Sequence, residues 1–179
     1  MVATRLMTAK ELAQLPDDGY RYELLQGELI KMAPPDRLHA KRQGRLVYEF
    51  VAYADRYGGE AGGEAGFHLE IDPDTVLAPD ATYTRPERVP KSEERGFGRY
   101  APDVAAEIDS PSNRPGERRR KVKAYHQAGT RIVLFVNDEK RTVTVEHADG
   151  RTEVLHEGDV FDGGDVMPGF RLPVSEFFR

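Results

Sequence analysis

Three segments of the chain repeat apolar residues at helical spacing. A capping box at Thr8–Glu11 predicts a short first helix. A long second helix is predicted over residues 36–57, with Asp36 as its N-cap, and a third over residues 116–128, with Gly129 as its C-cap. The buried side of the long helix is expected to consist of Leu46, Val47, Phe50, Val51 and Ala54.

Alternation of apolar and polar residues predicts strands in much of the remaining chain. Residues 21–32 are typical of a hairpin that turns at Gln26-Gly27, and the continuous apolar run over residues 131–137 is typical of a central strand. Further strands are predicted at 67–71, 75–83, 103–109, 141–147 and 152–158, with a short strand and a helical turn within 169–178. The connections comprise a glycine-rich loop or bulged strand at 58–66, an exposed mobile loop at 85–99 and a turn at 110–113.

The order of these elements predicts one α/β domain over residues 1–179. The third helix stands between two strands, as a crossover between parallel strands does. We therefore expect a central mixed sheet flanked by helices, with an N-terminal hairpin and a C-terminal β-meander.

Composition narrows the class of protein. The chain is 39% hydrophobic and 32% charged, which suits a folded core under a charged surface. It has no cysteine, so disulfides and thiolate metal ligands are excluded, and a reducing cytoplasm is favoured. No apolar run approaches the roughly 18 residues of a membrane-spanning helix, and the N-terminus has no apolar signal-peptide core. We expect a cytoplasmic protein that has no membrane partner.

The distribution of charge is uneven. The net charge of −5 argues against a nucleic-acid partner. Residues 114–123, however, hold six basic residues and one acid, and residues 36–45 hold four basic residues and one acid. Each run is either a solvated helix face or a phosphate-binding surface. In the second case, one concave face is expected to carry Lys41, Arg42, Arg45, Arg118, Arg119 and Arg120.

Carboxylates on the strand at 103–109 are the candidate chemistry. Asp103, Glu107 and Asp109 share one face, where like charges are costly unless a cation or a proton neutralises them. Asp103 lies about 13 Å from Glu107 at ~3.3 Å per residue, too far to share an ion, and is interpreted as a strand-start residue. A second acid, Asp80, follows Pro79 in an earlier strand, and Lys121 lies in the basic helix that follows.

These residues, in this order, resemble the PD-(D/E)XK nuclease superfamily, and most closely its Uma-type branch of restriction endonuclease-like proteins. The resemblance rests on the segments YELLQGELIKMAPPDRLH, APDATY, PDVAAEIDSPSN, RRKVKAYHQAGT and GDVFDGGDVMPGFRLPVSEFF. It covers nearly the whole chain in order, and it implies a restriction endonuclease-like fold and a homodimer.

The resemblance also implies roles for individual residues. Asp80 and Glu107 would bind a divalent ion, Mg²⁺ or Mn²⁺, and Lys121 would supply the lysine from the helix instead of the strand. The superfamily's usual lysine position is occupied by Asp109, which is either a third metal ligand or a charge that repels phosphate. Glu28 and His39 match further positions near the family's site.

Several residues keep a simpler interpretation. Glu28 is otherwise a surface residue of the hairpin, and His39 otherwise bonds within its helix. Lys123 is the alternative lysine, although Lys121 has the family spacing before Tyr125, which is itself expected to belong to the core. The other histidines have no metal-ligand spacing and are expected at the surface.

Three functions are compatible with these features. The favoured one is a Mg²⁺-dependent endonuclease-like phosphodiesterase that hydrolyses DNA. The second is a non-catalytic module that binds nucleic acid or protein and keeps the fold, and the third is a metal-dependent hydrolase of a small phosphoester.

Overall fold

The computed structural model describes residues 5–91, 95–109 and 115–179. The helices are α1 (Ala9–Leu12), α2 (Arg37–Tyr57) and α3 (Pro115–Ala128), with 3₁₀ turns at Pro86–Arg88 and Val174–Phe178. The strands are β1 (Arg21–Leu25), β2 (Glu28–Met32), β3 (Glu60–Gly62), β4 (Phe67–Glu70), β5 (Thr75–Leu77), β6 (Ala81–Thr84), β7 (Val104–Ile108), β8 (Ile132–Asn137), β9 (Thr142–His147), β10 (Thr152–His156), β11 (Val160–Asp162) and β12 (Arg171–Pro173).

The described residues form two principal sheets. The larger has the strand order β10-β9-β8-β7-β6-β3, and the smaller has the order β2-β1-β5-β4. Strands β7 and β8 run parallel and are joined through α3, whereas β6 pairs antiparallel with β7. This is the predicted mixed α/β fold, with the hairpin (β1 and β2) at its start and the antiparallel meander of β9 and β10 after the central strand.

The two faces of the larger sheet are covered by different elements. One face packs against α2 and the C-terminal 3₁₀ turn, where Leu46, Phe50 and Phe177 are fully buried. Burial of each such side chain stabilises the fold by about 1.5–3 kcal/mol. The opposite face packs against the smaller sheet and α3, with Tyr125 and Phe135 in the core. Because side chains alternate along β7, Glu107 points to this second face.

The predicted strand at 75–83 is wrong in one respect, since it is two strands in two sheets. β5 belongs to the smaller sheet and β6 to the larger, and Ala78-Pro79-Asp80 connects them. Pro79 has no N–H for a strand ladder, and the Ala78 N–H donates to a side chain, Glu23 Oε1, at 2.9 Å. Asp80 consequently stands at the start of β6.

Most other predicted elements agree with the structure. Thr8 and Glu11 form a reciprocal capping box, and the Asp36 side chain accepts the N–H groups of Leu38 and His39 at the start of α2. The glycine-rich segment contributes the short strand β3. Strand β11 was not predicted, the turn expected at 110–113 lies outside the described residues, and so do residues 92–94 of the predicted loop. Among the described residues, no helix is long and apolar enough to cross a membrane.

Candidate active site

Asp80 and Glu107 come from neighbouring strands. Ala81 of β6 pairs with Ala106 of β7, so one further step of the antiparallel register sets Asp80 opposite Glu107. Asp80 Oδ2 accepts the N–H of Ile108 at 2.7 Å, which fixes the aspartate against the strand that carries Glu107. Both carboxylates are buried.

Lys121 lies on α3, and its side chain contacts Glu107. Its Nζ lies 3.4 Å from each oxygen of Glu107 and 2.7 Å from Oε2 of Glu23. Burial alone would lower the pKa of Lys121, but the carboxylates of Glu107 and Glu23 outweigh it and raise that pKa above its ordinary value. The two carboxylates therefore favour the ammonium form of the lysine.

Glu107 is the acid whose ionisation is most perturbed. Burial raises the pKa of Glu107 to about 7, the Lys121 ammonium opposes this, and the charges of Glu23 and Asp80 add to it. Tyr125 donates its hydroxyl to Oε1 at 2.7 Å, which favours the ionised form. The negative charge of Glu107 is therefore only partly compensated, and a further cation beside it would favour the ionised form near neutral pH.

Asp80 is held by two basic side chains. Nε2 of His39 lies 2.9 Å from Oδ1, and Nη1 of Arg21 lies 3.5 Å from the same oxygen. Burial would raise the pKa of Asp80, but the contacts with His39, the Ile108 N–H and Arg21 together lower it. The ring of His39 therefore contacts the candidate site, in contrast to the alternative that its bonds stay within α2.

Three residues that contact these side chains were not proposed as site residues from the sequence: Arg21, Glu23 and Tyr125. Tyr125 is fully buried in the core, as predicted, and its hydroxyl also contacts Glu107. Glu23 is a buried carboxylate on β1 that contacts both Ala78 and Lys121. The available signal was a charged residue inside the otherwise apolar end of a strand, where alternation sets it on the face of buried Leu25.

Glu28 and Asp109 are held by other partners. Glu28 is exposed at the hairpin turn, on the same strand pair as Glu23 but nearer the turn, and pairs with Arg120 at 2.7 Å. Asp109 accepts Nδ2 of Asn137 at 3.1 Å and lies 3.8 Å from Arg118. Neither carboxylate joins the cluster of Asp80, Glu107 and Lys121.

Two further predictions concerned residues beside the cluster. Lys123, the alternative lysine, is exposed on α3. Asp103 stands immediately before β7, fully buried, and pairs with Arg85 at 3.0 Å and Arg88 at 2.7 Å. Its interpretation as a strand-start residue separate from Glu107 agrees with these contacts.

The cluster forms one wall of a cavity of about 440 Å³. The apolar part of its lining comes from β2, from the start of α2 and from the segment between them. The polar lining includes Arg21, Glu23, His39, Arg42, Asp80, Glu107, Asp109, Lys121, Asn137, Asp138 and Glu139, and the apolar lining includes Met32, Pro34, Pro35 and Leu38. A phosphate ester that enters would meet both charged and apolar side chains.

The donors suit a hard divalent ion bound by two carboxylates. Asp80 and Glu107 offer oxygen ligands side by side, and Mg²⁺ commonly binds through one or two carboxylates while it keeps several waters. The described residues contain no group of three or more histidine, aspartate or glutamate side chains arranged to hold a metal. A third protein ligand such as Asp109 would have to release Asn137 first.

Most of the cations expected on a basic concave face are paired. Arg42 is buried against Asp138 at 2.8 Å, and Arg45 contacts Glu49 and Glu176. Arg118 lies beside Asp109 and Glu146, and Arg120 pairs with Glu28. Lys41 and Arg119 have no ion pair among the described residues. Four of the six cations therefore have acidic partners, and their arrangement on one concave phosphate-binding face stays a prediction.

Comparison with known proteins identifies the family. A sequence model of the Uma2 family, described as "Putative restriction endonuclease", matches residues 9–175. The crystal structure of a putative nuclease belonging to DUF820 from Anabaena variabilis ATCC 29413 superposes with a TM-score of 0.83 at 21% sequence identity, covering 96% of this chain and 97% of that chain. No curated protein matches the chain significantly. Because the family match spans nearly the whole sequence, and a similar fold accompanies it, the chain belongs to the Uma2 family of putative restriction endonucleases.

Proposed function

We propose that this protein is a divalent-metal-dependent nuclease that hydrolyses DNA phosphodiester bonds. The observation that carries the proposal is the buried contact between the Lys121 ammonium and Glu107, beside Asp80 on the neighbouring strand and at the wall of a cavity. The family description supports the nuclease class. Mg²⁺ or Mn²⁺ as cofactor and DNA as substrate are our own inferences.

Each residue of the cluster has a distinct role in this proposal. Asp80 and Glu107 would hold the ion, which when bound acts as a Lewis acid towards phosphate and lowers the pKa of a bound water. Lys121 donates to the phosphate oxygens and stabilises the negative charge that develops on them. The neighbouring carboxylates raise the pKa of Lys121, which favours a role through its positive charge.

The surrounding side chains orient the acids. His39 and the Ile108 N–H fix the two oxygens of Asp80, and Tyr125 fixes Oε1 of Glu107. Asp109 and Glu28 remain candidate site residues. Each could act in the site only after it releases its present partner, Asn137 for Asp109 and Arg120 for Glu28. Asp109 keeps both alternatives, a further ligand or a charge that repels phosphate. A homodimer and a cytoplasmic location also remain predictions.

A small phosphoester is the second candidate substrate. The cavity of about 440 Å³ lies within the size range of small-molecule sites, and most nearby cations are ion-paired instead of free for a long polyanion. A supercoiled plasmid and the chromogenic diester bis(4-nitrophenyl) phosphate should therefore be tested side by side.

The decisive experiment compares metal-dependent cleavage by the parent and by isosteric variants. Cleavage of plasmid should require Mg²⁺ or Mn²⁺ and stop with EDTA. Asp80→Asn, Glu107→Gln and Lys121→Met should each reduce the rate by about 100-fold or more, as loss of a transition-state contact does. Glu176→Gln, which changes an ion-paired glutamate outside the cavity, is the matched control and should retain the parental rate.

The results separate the candidates. Cleavage of only the small diester would favour the second substrate class. A parent protein that cleaves neither substrate with any divalent ion, or a fully active Glu107→Gln variant, would contradict the nuclease proposal.

A further inference from the structure

Glu23 is a buried acid that the metal-binding scheme leaves without a role. It is 1% exposed, on a strand whose neighbouring residues are apolar. Its Oε1 accepts the Ala78 N–H at 2.9 Å, and its Oε2 lies 2.7 Å from Nζ of Lys121. A buried carboxylate is costly unless it is paired, so this placement needs both contacts.

The distances rank the two carboxylates that share Lys121. The ammonium is 2.7 Å from Oε2 of Glu23 but 3.4 Å from each oxygen of Glu107. Both carboxylates hold Lys121 through their charge, and Glu23 is the nearer of the two. Glu107 keeps oxygen lone pairs that are not committed to the lysine.

This arrangement resolves a competition inside the site. A divalent ion and an ammonium both seek the carboxylate of Glu107, and both are needed near the same phosphate. If Glu107 were the only partner of Lys121, ion binding would have to displace the lysine from its one counter-charge. With Glu23 present, the lysine keeps a partner while Glu107 binds the ion.

We propose that Glu23 is a positioning residue that holds Lys121 in the site and thereby leaves Glu107 available to a divalent ion. The inference rests on the proposed metal-dependent function. Through its bond to Ala78, Glu23 also joins the hairpin to the segment that leads into Asp80, so a single side chain aligns the lysine with the first acid.

The test is a Mg²⁺ titration followed by thermal melting, which needs no cleavage. In Glu23→Gln the amide oxygen can still accept the Ala78 N–H, but the negative charge is lost, and Lys121 should move onto Glu107. The Mg²⁺ concentration for half-maximal stabilisation should then rise about tenfold, the worth of one hydrogen bond to a charged group. Glu176→Gln is again the matched control and should leave it unchanged.

The same substitution in a Lys121→Gln variant distinguishes a positioning role of Glu23 from direct attraction of the ion by Glu23. In Lys121→Gln there is no ammonium to compete, so adding Glu23→Gln should change the half-saturating Mg²⁺ by less than about twofold. This double variant also replaces both partners of the ion pair, which keeps the test open if Glu23→Gln alone unfolds. At saturating Mg²⁺, plasmid cleavage by folded Glu23→Gln should still be slower than that of the parent, because its lysine is displaced.

The possible failures are distinct. If Mg²⁺ neither stabilises the parent nor supports cleavage, the proposed function itself fails. If Mg²⁺ binds the parent and Glu23→Gln with equal affinity, only the role of Glu23 is overturned. If Glu23→Gln weakens Mg²⁺ binding equally with and without the Lys121→Gln substitution, Glu23 attracts the ion directly, which also overturns the positioning role.

Discussion

Individual side chains at this site are arranged by the cost of burying charge. Glu107 is surrounded by Lys121 and Tyr125, yet only the tyrosine contact, at 2.7 Å, has the length of a strong hydrogen bond. This incomplete compensation is consistent with a pKa of about 7 for Glu107. A carboxyl group in that state changes its protonation near neutral pH, so a divalent ion bound there would compete with a proton.

Tyr125 should therefore control the pH at which the protein becomes active. Its hydroxyl favours ionised Glu107, so Tyr125→Phe should raise the pKa of Glu107 further. Glu107 must lose its proton to bind an ion, and the rise of the cleavage rate with pH should move to higher pH. Loss of about 1.5 kcal/mol for this bond predicts a roughly tenfold slower rate near pH 6.5 and little change near pH 9.

The control for this variant is another buried tyrosine. Tyr53 donates to the Pro168 carbonyl at 3.2 Å, away from the cavity, so Tyr53→Phe tests loss of a hydroxyl from the core alone. The measurement is the rate–pH profile of the parent and of both variants at one fixed Mg²⁺ concentration below saturation, where the proton and the ion still compete for Glu107. A uniform decrease at all pH values in Tyr125→Phe would indicate that the tyrosine acts only through packing.

Secondary-structure elements were predicted from the sequence where the signal is local. The capping residues Thr8 and Asp36 fix helix starts by bonds to N–H groups two or three residues away, and both are seen. The break at Pro79 was missed, because whether a strand continues depends on its partners in two different sheets. Glu23 was missed for the same reason, since its partners Ala78 and Lys121 are distant in sequence.

The glycine-rich segment that directly follows β3 contributes to the site through a close approach of backbones. A Cβ added to Gly63 would lie 2.5 Å from the carbonyl oxygen of Asp80 and 2.8 Å from Cγ2 of Val47, whereas one added to Gly62 would meet nothing within 4 Å. The Glu64 N–H also donates to the Pro79 carbonyl at 2.9 Å. The glycine-rich repeat therefore supports the backbone at Asp80.

Gly63→Ala should accordingly disturb both the fold and the proposed metal site. The clash is with backbone, so Asp80 must shift, and overpacking of this kind costs about 1–3 kcal/mol. The melting temperature should fall by roughly 2–4 °C for each of those kcal/mol, and Mg²⁺ should stabilise the variant less than the parent. Gly62→Ala is the matched neighbour and should melt near the parent. Equal melting temperatures and Mg²⁺ responses for the two variants would contradict this role of Gly63.

Across the whole molecule, the pairing of charges matters more than their number. The sequence predicts basic runs on α2 and α3 but not which acids face them, because those acids lie on distant elements. Arg42 meets Asp138 after β8, Arg45 meets Glu176 near the C-terminus, and Arg120 meets Glu28 of the hairpin. The fold thus neutralises a surface that the linear sequence presents as basic, consistent with a net charge of −5.

DNA binding should consequently depend less steeply on salt than it would with six free cations. Arg37, Lys41 and Arg119 are exposed and have no ion pair among the described residues, and the first two lie beside the cavity-lining Leu38 on α2. Three phosphate contacts predict a slope of about −3 for the logarithm of the association constant against the logarithm of salt concentration. The slope can be measured by fluorescence anisotropy of a labelled DNA duplex, with Ca²⁺ as the divalent ion and with the salt concentration raised from low to moderate.

Two single substitutions make this prediction specific. Lys41→Gln removes a free cation and should reduce the slope by about 0.9, the contribution of one phosphate contact in duplex DNA. Arg45→Gln removes a cation already paired with Glu49 and Glu176, so the slope should stay at its parental value even if affinity changes slightly. A parental slope of about −5 or steeper, or equal effects of the two substitutions, would mean that the ion pairs open on DNA and that the basic runs act as a phosphate-binding surface after all.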